Sequence, residues 1–405
     1  MSFGRANKDV VSAARSVLAD VRKRAAGYDA AASFATEDFA DFHRLGLLSM
    51  AFPTEYGGGG YWLGDRMADM YKVAELLAGA DSSAAQNLMV HTHGSGLMSW
   101  HATKAQKDAL IPGIIERGEL FAVAGSEAAR GSTEGATREG ELEPTGTGWR
   151  ITTTKHFTSV GPGATHFLVM VALPGAGAYT DRQVFVRVQQ DTPGVELIDN
   201  WDAMGMRATV SWALKLTDVE VTPDMIVGEP GAWTRDPRTF TCGYAANHVG
   251  SAQAVLDFVV NWVQDRKHLR ESELSRVAIG DMASRISLVR EGLYAAVARW
   301  EKAGREGWPA ALVDDAELLS LQVLHEAKRV ALDVSRKAFD VCGARSSFRD
   351  LPLDLAYRDI RAFTLHSRDD LYMLRVGDAL IQPQLFAAKG TMVTPDGVLI
   401  ATGST

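Results

Sequence analysis

The spacing of apolar residues changes twice along this chain, and those two changes constrain the fold more than any single motif. Up to about residue 120 the period is helical. In DVVSAARSVLADVRKRAAG, residues Val10, Ala13, Val17 and Val21 recur at three- and four-residue steps. The loop YGGGGYWLGD interrupts this period, and DRMADMYKVAELLAGA resumes it. From about 121 to 235 the period falls to two. Phe167, Val169 and Val171 share one face of THFLVMVAL, and Val184, Val186 and Val188 one face of RQVFVRVQQ. Trp212, Leu214 and Leu216 do the same in SWALKLTDVEV. EPTGTG and GPGA punctuate these runs, which predicts short antiparallel strands joined by turns.

From about 238 helical steps return as three stripes. The first is Ala245, Val249, Ala252, Leu256, Val259 and Val263. The second is Ile279, Met282, Ile286, Val289, Leu293, Ala296 and Trp300, and the third Leu324, Ala327, Ala331, Val334, Ala338 and Val341. Such 4-3-4 steps predict helices packed as a bundle. KGTMVTPDGVLIATGST reads as an extended tail. The predicted fold is mainly α with a central β domain. An N-terminal helical domain covers 1–120, a middle β domain 121–235, and a C-terminal helical bundle with extended tail 236–405.

The chain has 405 residues, 46% hydrophobic and 23% charged, as in an ordinary globular protein long enough for two or three subdomains. A net charge of −8 argues against nucleic acid as the main partner. No apolar run reaches the roughly 18 residues of a membrane span. The start, MSFGRANKDVVSAARS, lacks the apolar block of a secretory signal. Two cysteines, Cys242 and Cys342, fit a reducing compartment, and neither lies in a paired Cys/His metal spacing. A soluble cytoplasmic protein without a metal site is expected. GGGG at 57–60 follows TEY rather than a strand and reads as a loop. No G-x-G-x-x-G or P-loop sits at a strand-to-helix turn, which argues against a Rossmann enzyme or a P-loop ATPase.

One stretch poses a chemical question. In YRDIRAFTLHSRDD the apolar run Ala362–Leu365 leads straight into His366, at a seam with a charged turn. A lone histidine there is ordinarily a satisfied structural residue, as a turn serine is ordinarily a turn former. Seven ordered segments change that weighting: EYGGGGY, LFAVAGSEAARGSTEG, WRITTTKHFTSVGPGATHFLV, WDAMGMRATVSWALKLTDVEV, AQAVLDFVVNWVQDR, AFDVCGARSSF and LAYRDIRAFTLH. Over almost the whole chain their order and spacing resemble the acyl-CoA dehydrogenase superfamily. Its pattern runs Y-G-G, T-E-P-x-A-G-S-D, K-x-W-I-T-N, M-G-x-R-G-S, a helix ending in E-R, F-G-G-x-G-F and Y-R-D.

Dehydrogenases of that superfamily need a carboxylate base, either shortly after Y-R-D or at the start of the first C-terminal helix. Here the first place reads TLHS, with His366, and the second FTCGYAANHVG, with Thr241 and Cys242. These substitutions resemble the sister branch of two-component flavin monooxygenases, the dibenzothiophene monooxygenase-like group. That branch carries T-L-H, K-H-Y-x-S-G and a histidine after N-L. The chain has TLH ending at His366, KHFTS ending at Ser159 and NLMVH ending at His91. Phe157 stands for the branch's tyrosine, Val160 for its glycine, and HSRDD for its H-D-P.

The resemblance implies a flavin, FMN or FAD, bound between the β domain and the bundle. It implies a C4a-hydroperoxide formed with O2, and a reductant delivered as free flavin by a separate NAD(P)H:flavin reductase. His91, Ser159 and His366 are the implied catalytic residues, with His93 the alternative to His91. Imidazole can donate and accept protons near neutrality, which suits that work. Ser126, Ser132, Phe157, Ser159, Arg266 and Arg345 are the implied flavin contacts. The two arginines serve the phosphate, for which a bidentate guanidinium is apt, though each could equally be a solvated surface arginine. In the family such arginines come from a neighbouring subunit, so a homotetramer is implied. The substrate is expected to be a small apolar or aromatic molecule oxidised at carbon, sulfur or nitrogen. A dehydrogenase or oxidase with a non-standard base is the alternative.

Overall fold

The computed structural model describes residues 4–64, 66–127, 140–232, 236, 241–367, 369–383, 386, 390–393 and 399–402. Helix α1 (Val10–Ala31) starts on Asp9, whose carboxylate accepts from Ser12 N, and its stripe Val10, Ala13, Val17 and Val21 is buried. Helices α2 (Thr36–Arg44) and α3 (Met67–Ala78) flank the glycine loop, and α4 (Ser82–His101) and α5 (Lys104–Arg117) follow. Asp81 caps α4 by accepting from Ser83 N and Ala84 N at 2.8 and 3.1 Å. Every described position of α4 from Ser82 to Trp100 is buried, so it runs through the interior rather than over a surface. Small residues permit this. A Cβ on Gly94 would lie 2.6 Å from the Phe121 side chain, and one on Gly96 2.3 Å from Trp62.

Two four-stranded sheets follow. The first has order β1–β4–β5–β8, from β1 (Phe121–Ala124), β4 (His166–Ala172), β5 (Gln183–Gln189) and β8 (Ile226–Val227). The second has order β2–β3–β7–β6, from β2 (Glu143–Pro144), β3 (Trp149–Thr158), β7 (Trp212–Val221) and β6 (Val195–Ile198). Bridges from Ser126 to His156 and from Glu141 to Ala172 stitch the sheets together at their edges. A one-turn helix α6 (Tyr179–Arg182) precedes β5.

Two expectations change here. Pairing is not wholly antiparallel, because β1 runs parallel to β4, Phe121 opposite His166. Nor does the period of two in β4 separate core from solvent, since all seven residues are buried. Phe167, Val169 and Val171 join the main core, while Leu168 and Met170 pack with Leu97, Ile111 and Ile114 of α4 and α5. Helices cover the face that an open antiparallel sheet would leave to water.

The bundle comprises α7 (Thr241–Gln264), α8 (Lys267–Glu271), α9 (Glu273–Arg305), α10 (Ala310–Cys342), α11 (Pro352–Phe363) and α12 (Asp369–Ile381). Ala245, Val249, Ala252, Leu256, Val259 and Val263 are all buried in α7. Burying each valine or leucine of this stripe contributes roughly 1.5–3 kcal/mol, so a charge at Val259 would break this face. The tail is not simply extended: β9 (Gly390–Val393) and β10 (Leu399–Thr402) pair antiparallel, Leu399 opposite Val393. Among the described residues, no helix is long and apolar enough to cross a membrane.

Candidate functional site

The turn that leaves β3 carries unusual backbone. The β3–β7 register slips between Lys155 and Thr158, and just there Phe157 takes φ 58° and Val160 φ 76°. The facing segment between β6 and β7 holds Met206 at φ 54° and Val210 at φ 42°. Side chains with a Cβ, β-branched ones above all, disfavour positive φ, and each such residue costs on the order of 1–3 kcal/mol. Four in two facing loops mark a place where geometry is imposed by the surroundings. Phe157 is 64% exposed, with Trp201 at 6.0 Å and nearly perpendicular to it. An uncovered aromatic ring, held out at a strained position above a buried serine, fits a flat aromatic cofactor.

The serine is Ser159: its hydroxyl meets Ser211 Oγ at 2.8 Å, and Ser211 Oγ meets Thr209 Oγ1 at 2.7 Å.

 Thr209 Oγ1 donates in turn to the Met206 carbonyl at 2.7 Å. Val160 N donates to Asn87 Oδ1 of α4 at 3.1 Å, which fixes the turn to the central helix.

A short joint ties this loop to the bundle. Arg358 and Asp359 belong to the YRD segment on α11. Asp359 Oδ1 accepts from Met206 N at 2.5 Å, and Arg358 donates to the Met204 carbonyl at 3.0 Å while pairing with Asp29 of α1 at 2.8 Å. Burial pushes the Asp359 carboxyl up to about 8, the Met206 bond opposing it and the charges of Asp81 and Asp29 reinforcing it. Ser82 donates to Asn247 Oδ1 at 2.7 Å, which adds α4 and α7 to the same joint.

His366 follows α11 by three residues. Its ring lies 4.6 Å from that of Tyr244, with Nε2 a long 3.4 Å from the phenol oxygen, and 5.8 Å from Phe363. The residue is exposed, as is Leu365 beside it, so the imidazole stands at a mouth in otherwise dense surroundings. Those surroundings, with the Lys328 ammonium behind them, push its pKa down to about 4. His248, one helical turn after Tyr244, is buried against Phe363 at 4.9 Å, and burial lowers it to about 3. Burial likewise drives the Tyr244 phenol well above its ordinary value. Lys328 is held by the Ser367 carbonyl at 3.0 Å and by Asp369 at 2.5 Å. Among the described residues, no carboxylate contacts the His366 ring.

The remaining expected residues fall in three places. Ser126 bridges His156 beside Phe157, so Ser126, Phe157 and Ser159 share one edge of the β domain. Ser132 lies outside the described residues. His91 is elsewhere. Phe121 N donates to its Nδ1 at 3.1 Å and its Nε2 meets the Leu48 carbonyl at 2.8 Å, so both nitrogens are committed to backbone. Burial lowers it to about 4. His91 is expected to handle protons, and here both of its nitrogens meet backbone groups. His93 is also buried, its ring 5.2 Å from that of Trp62.

Arg266 stacks 3.5 Å over Trp262 and donates to the Trp262 carbonyl at 2.9 Å. Arg345 forks onto Asp350 and covers Phe348 at 4.4 Å. Arg266 lies near Cys342, the last residue of α10, and Arg345 follows Cys342 by three residues. Among the described residues neither touches the 157–160 turn. Sequence reasoning missed Tyr244, His248, Thr209, Ser211 and Asp359. The available signal was the polar pair Tyr244 and His248, four apart on the row beside the apolar stripe of α7.

A helical domain, a two-sheet β domain and a helical bundle, with a strained turn at their junction, define one class of fold. Acyl-CoA dehydrogenase domain models match it in order: the N-terminal domain at residues 6–118, the middle domain at 122–219 and the C-terminal domain at 242–370. The chain belongs to the acyl-CoA dehydrogenase family. It is 27% identical to the probable acyl-CoA dehydrogenase fadE25 of Mycobacterium leprae, over 84% of this chain and 86% of that one. It is 24% identical to a dibenzothiophene monooxygenase of Rhodococcus erythropolis, over 94% of each. The crystal structure of TdsC from Paenibacillus sp. A11-2 with FMN and indole superposes with a TM-score of 0.83 at 20% identity, covering 93% of this chain and 98% of that one.

Proposed function

We propose that this protein is a flavin-dependent monooxygenase. It takes FMN or FAD in reduced form from a separate NAD(P)H:flavin reductase and oxygenates a small apolar or aromatic substrate at carbon, sulfur or nitrogen. The observation that carries this reading is His366. It stands where the dehydrogenases of the family are expected to keep their base, with Tyr244 against it and no carboxylate in contact among the described residues. When bound, the flavin would supply the chemistry with O2, held against Phe157, Ser159 and Ser126.

The chain's own residues exclude water and place protons. With its pKa pushed down, His366 is neutral at pH 7, so it holds one hydrogen on one nitrogen and offers a lone pair on the other. The Tyr244 phenol stays protonated and can orient that ring. Phe157 supplies a face for the cofactor ring and Ser159 a polar contact at its edge, with Ser126 beside them. Neither Arg266 nor Arg345 reaches this turn in its own chain, which favours their serving a neighbouring subunit in a homotetramer. Exposed Leu274, Val277 and Leu288 on α9, and Leu374, Leu380 and Ile381 on α12, are apolar surface that such an assembly would cover.

The test is rapid mixing of the protein, loaded anaerobically with reduced FMN or FAD, with O2-saturated buffer. A long-lived oxygenated-flavin band ahead of flavin reoxidation is expected. Immediate reoxidation without that band, or bleaching of bound oxidised flavin by an acyl thioester without O2, overturns the reading in favour of a dehydrogenase.

A further inference from the structure

The hydroxyl chain behind Ser159 has a direction, and the direction has a consequence. It begins at the Met206 carbonyl, which can only accept. Three donors reach that oxygen: Trp201 Nε1 at 3.0 Å, Thr209 N at 3.1 Å and Thr209 Oγ1 at 2.7 Å. A hydroxyl carries one hydrogen, so Thr209, having donated to the carbonyl, must accept from Ser211 at 2.7 Å. Ser211 has then spent its own hydrogen and must accept from Ser159 at 2.8 Å. No other hydrogen-bond partner reaches Ser211 or Ser159 Oγ among the described residues. The single hydrogen of Ser159 is therefore turned inward, and its oxygen presents only lone pairs outward. With Thr209 donating to the carbonyl, one assignment of the three hydrogens is consistent.

The origin of the relay is held rigidly. Met206 N donates to Asp359 at 2.5 Å, and the loop's positive-φ residues keep the Met206 carbonyl facing Thr209. Thr209, Ser211 and Ser159 are all buried, at 2%, 5% and 8% exposure, so water does not compete for their hydrogens.

We propose that Ser211 and Thr209 are positioning residues that fix Ser159 as a hydrogen-bond acceptor, so that the site prefers reduced over oxidised flavin. The inference rests on the monooxygenase reading, in which Ser159 lies at the N5 edge of the ring. A reduced flavin carries a hydrogen on N5 and can donate it to Ser159. Oxidised N5 is itself an acceptor and would face another lone pair. A partner that receives its flavin reduced and must release it oxidised is served by that asymmetry.

The test measures binding, not turnover. Dissociation constants of oxidised FMN and of anaerobically reduced FMN, with FAD in parallel, are determined for the wild type and four variants. The wild type should bind the reduced form more tightly. In Ser211→Ala the Ser159 hydrogen is released outward, so oxidised FMN should bind about tenfold more tightly, one hydrogen bond's worth. For a two-electron couple that lowers the bound-flavin potential by about 30 mV. Thr209→Val frees the Ser211 hydrogen to turn back and should act in the same direction. Ser211→Thr keeps the hydroxyl and should restore the wild-type ratio, and Ser159→Ala should give no tightening of the oxidised form. Simple structural damage weakens both redox forms together, so a joint loss in Ser211→Ala and Thr209→Val overturns the relay, as does a wild type that prefers oxidised flavin. Failure of the wild type to bind FMN or FAD in either state overturns the monooxygenase reading itself, and the inference with it.

Discussion

The corner where α4 meets β1 and the corner where α7 meets the end of α11 each hold a histidine pushed down to about 4, yet they are built differently. Around His91 every polar group is closed: one nitrogen accepts from Phe121 N, and the other faces the Leu48 carbonyl. Around His366 one nitrogen makes a single long contact with Tyr244, and the residue is exposed beside an exposed leucine. A depressed pKa is therefore no guide to role by itself, because desolvation lowers both. What separates them is whether a lone pair or hydrogen remains unspent. At the first corner both nitrogens are spent on backbone, and at the second the one contact is long.

The largest effect that can break this contrast is on turnover. Replacing His366 by Asn should lower the rate of substrate oxygenation by roughly 10²–10⁴-fold, the usual weight of a positioned proton donor or acceptor. Hydrogen peroxide should replace product, and thermal stability should stay near wild type. His91→Ala should do the reverse. It leaves a buried N–H and a buried carbonyl unsatisfied, at about 1–3 kcal/mol each. Chemical denaturation should show a loss of about 3 kcal/mol, with near-normal turnover per folded molecule. Product formation surviving in the His366 variant, or vanishing in a well-folded His91 variant, inverts the assignment.

Acid and base sharpen the comparison further. His91 is held below its unfolded pKa, so the unfolded chain binds the extra proton between about 6.5 and 4, and stability is lost as pH falls through that window. Asp359, in the joint between the Met206 loop and α11, has the opposite sign. Its folded pKa of about 8 lies above the ordinary 3.8, so the folded protein holds the extra proton, and stability is lost as pH rises from about 4 towards 8. Asn at 359 keeps an acceptor for Met206 N and cannot ionise. The melting temperature of Asp359→Asn relative to wild type should therefore climb between pH 5 and pH 8.5. A difference that stays flat across that range would show Asp359 to be ionised throughout.

Much of the fold was legible because it rests on one-dimensional periodicity. The stripes of α1, α7 and α10 are buried largely as spaced, and the glycine loop lies between two short helical turns. Less visible was what depends on partners distant in sequence. The alternation in β4 could not reveal that α4 and α5 would cover its second face. The parallel β1–β4 pair likewise depends on a crossover that local spacing does not record. At the site, motif order singled out His366, Ser159 and Phe157, but motif order also singled out His91, whose two bonds go to backbone at positions 48 and 121. Backbone partners leave no signature in side-chain identity. The relay of Ser211 and Thr209 stayed hidden for a related reason: hydroxyls in ATVSW read as ordinary strand residues until the Met206 carbonyl gives them a direction.

The smallest expected effect concerns strain, which also divides the two corners. His91 sits within a regular helix, whereas Phe157 is held at φ 58° with most of its ring exposed, so its side chain contributes little packing to offset the backbone cost. Asparagine tolerates that conformation better than phenylalanine, since its short polar side chain can bond locally. Phe157→Asn should therefore raise the stability of the flavin-free protein by about 1 kcal/mol, read from denaturant midpoints. The same variant should bind FMN more weakly, because the aromatic face is gone. Opposite signs in the two measurements would show that the turn keeps a strained ring for the sake of its ligand. A fall in both would mean that Phe157 packs against the protein itself, most directly on Trp201 at 6.0 Å, and that the strain at this turn resides in Val160 instead.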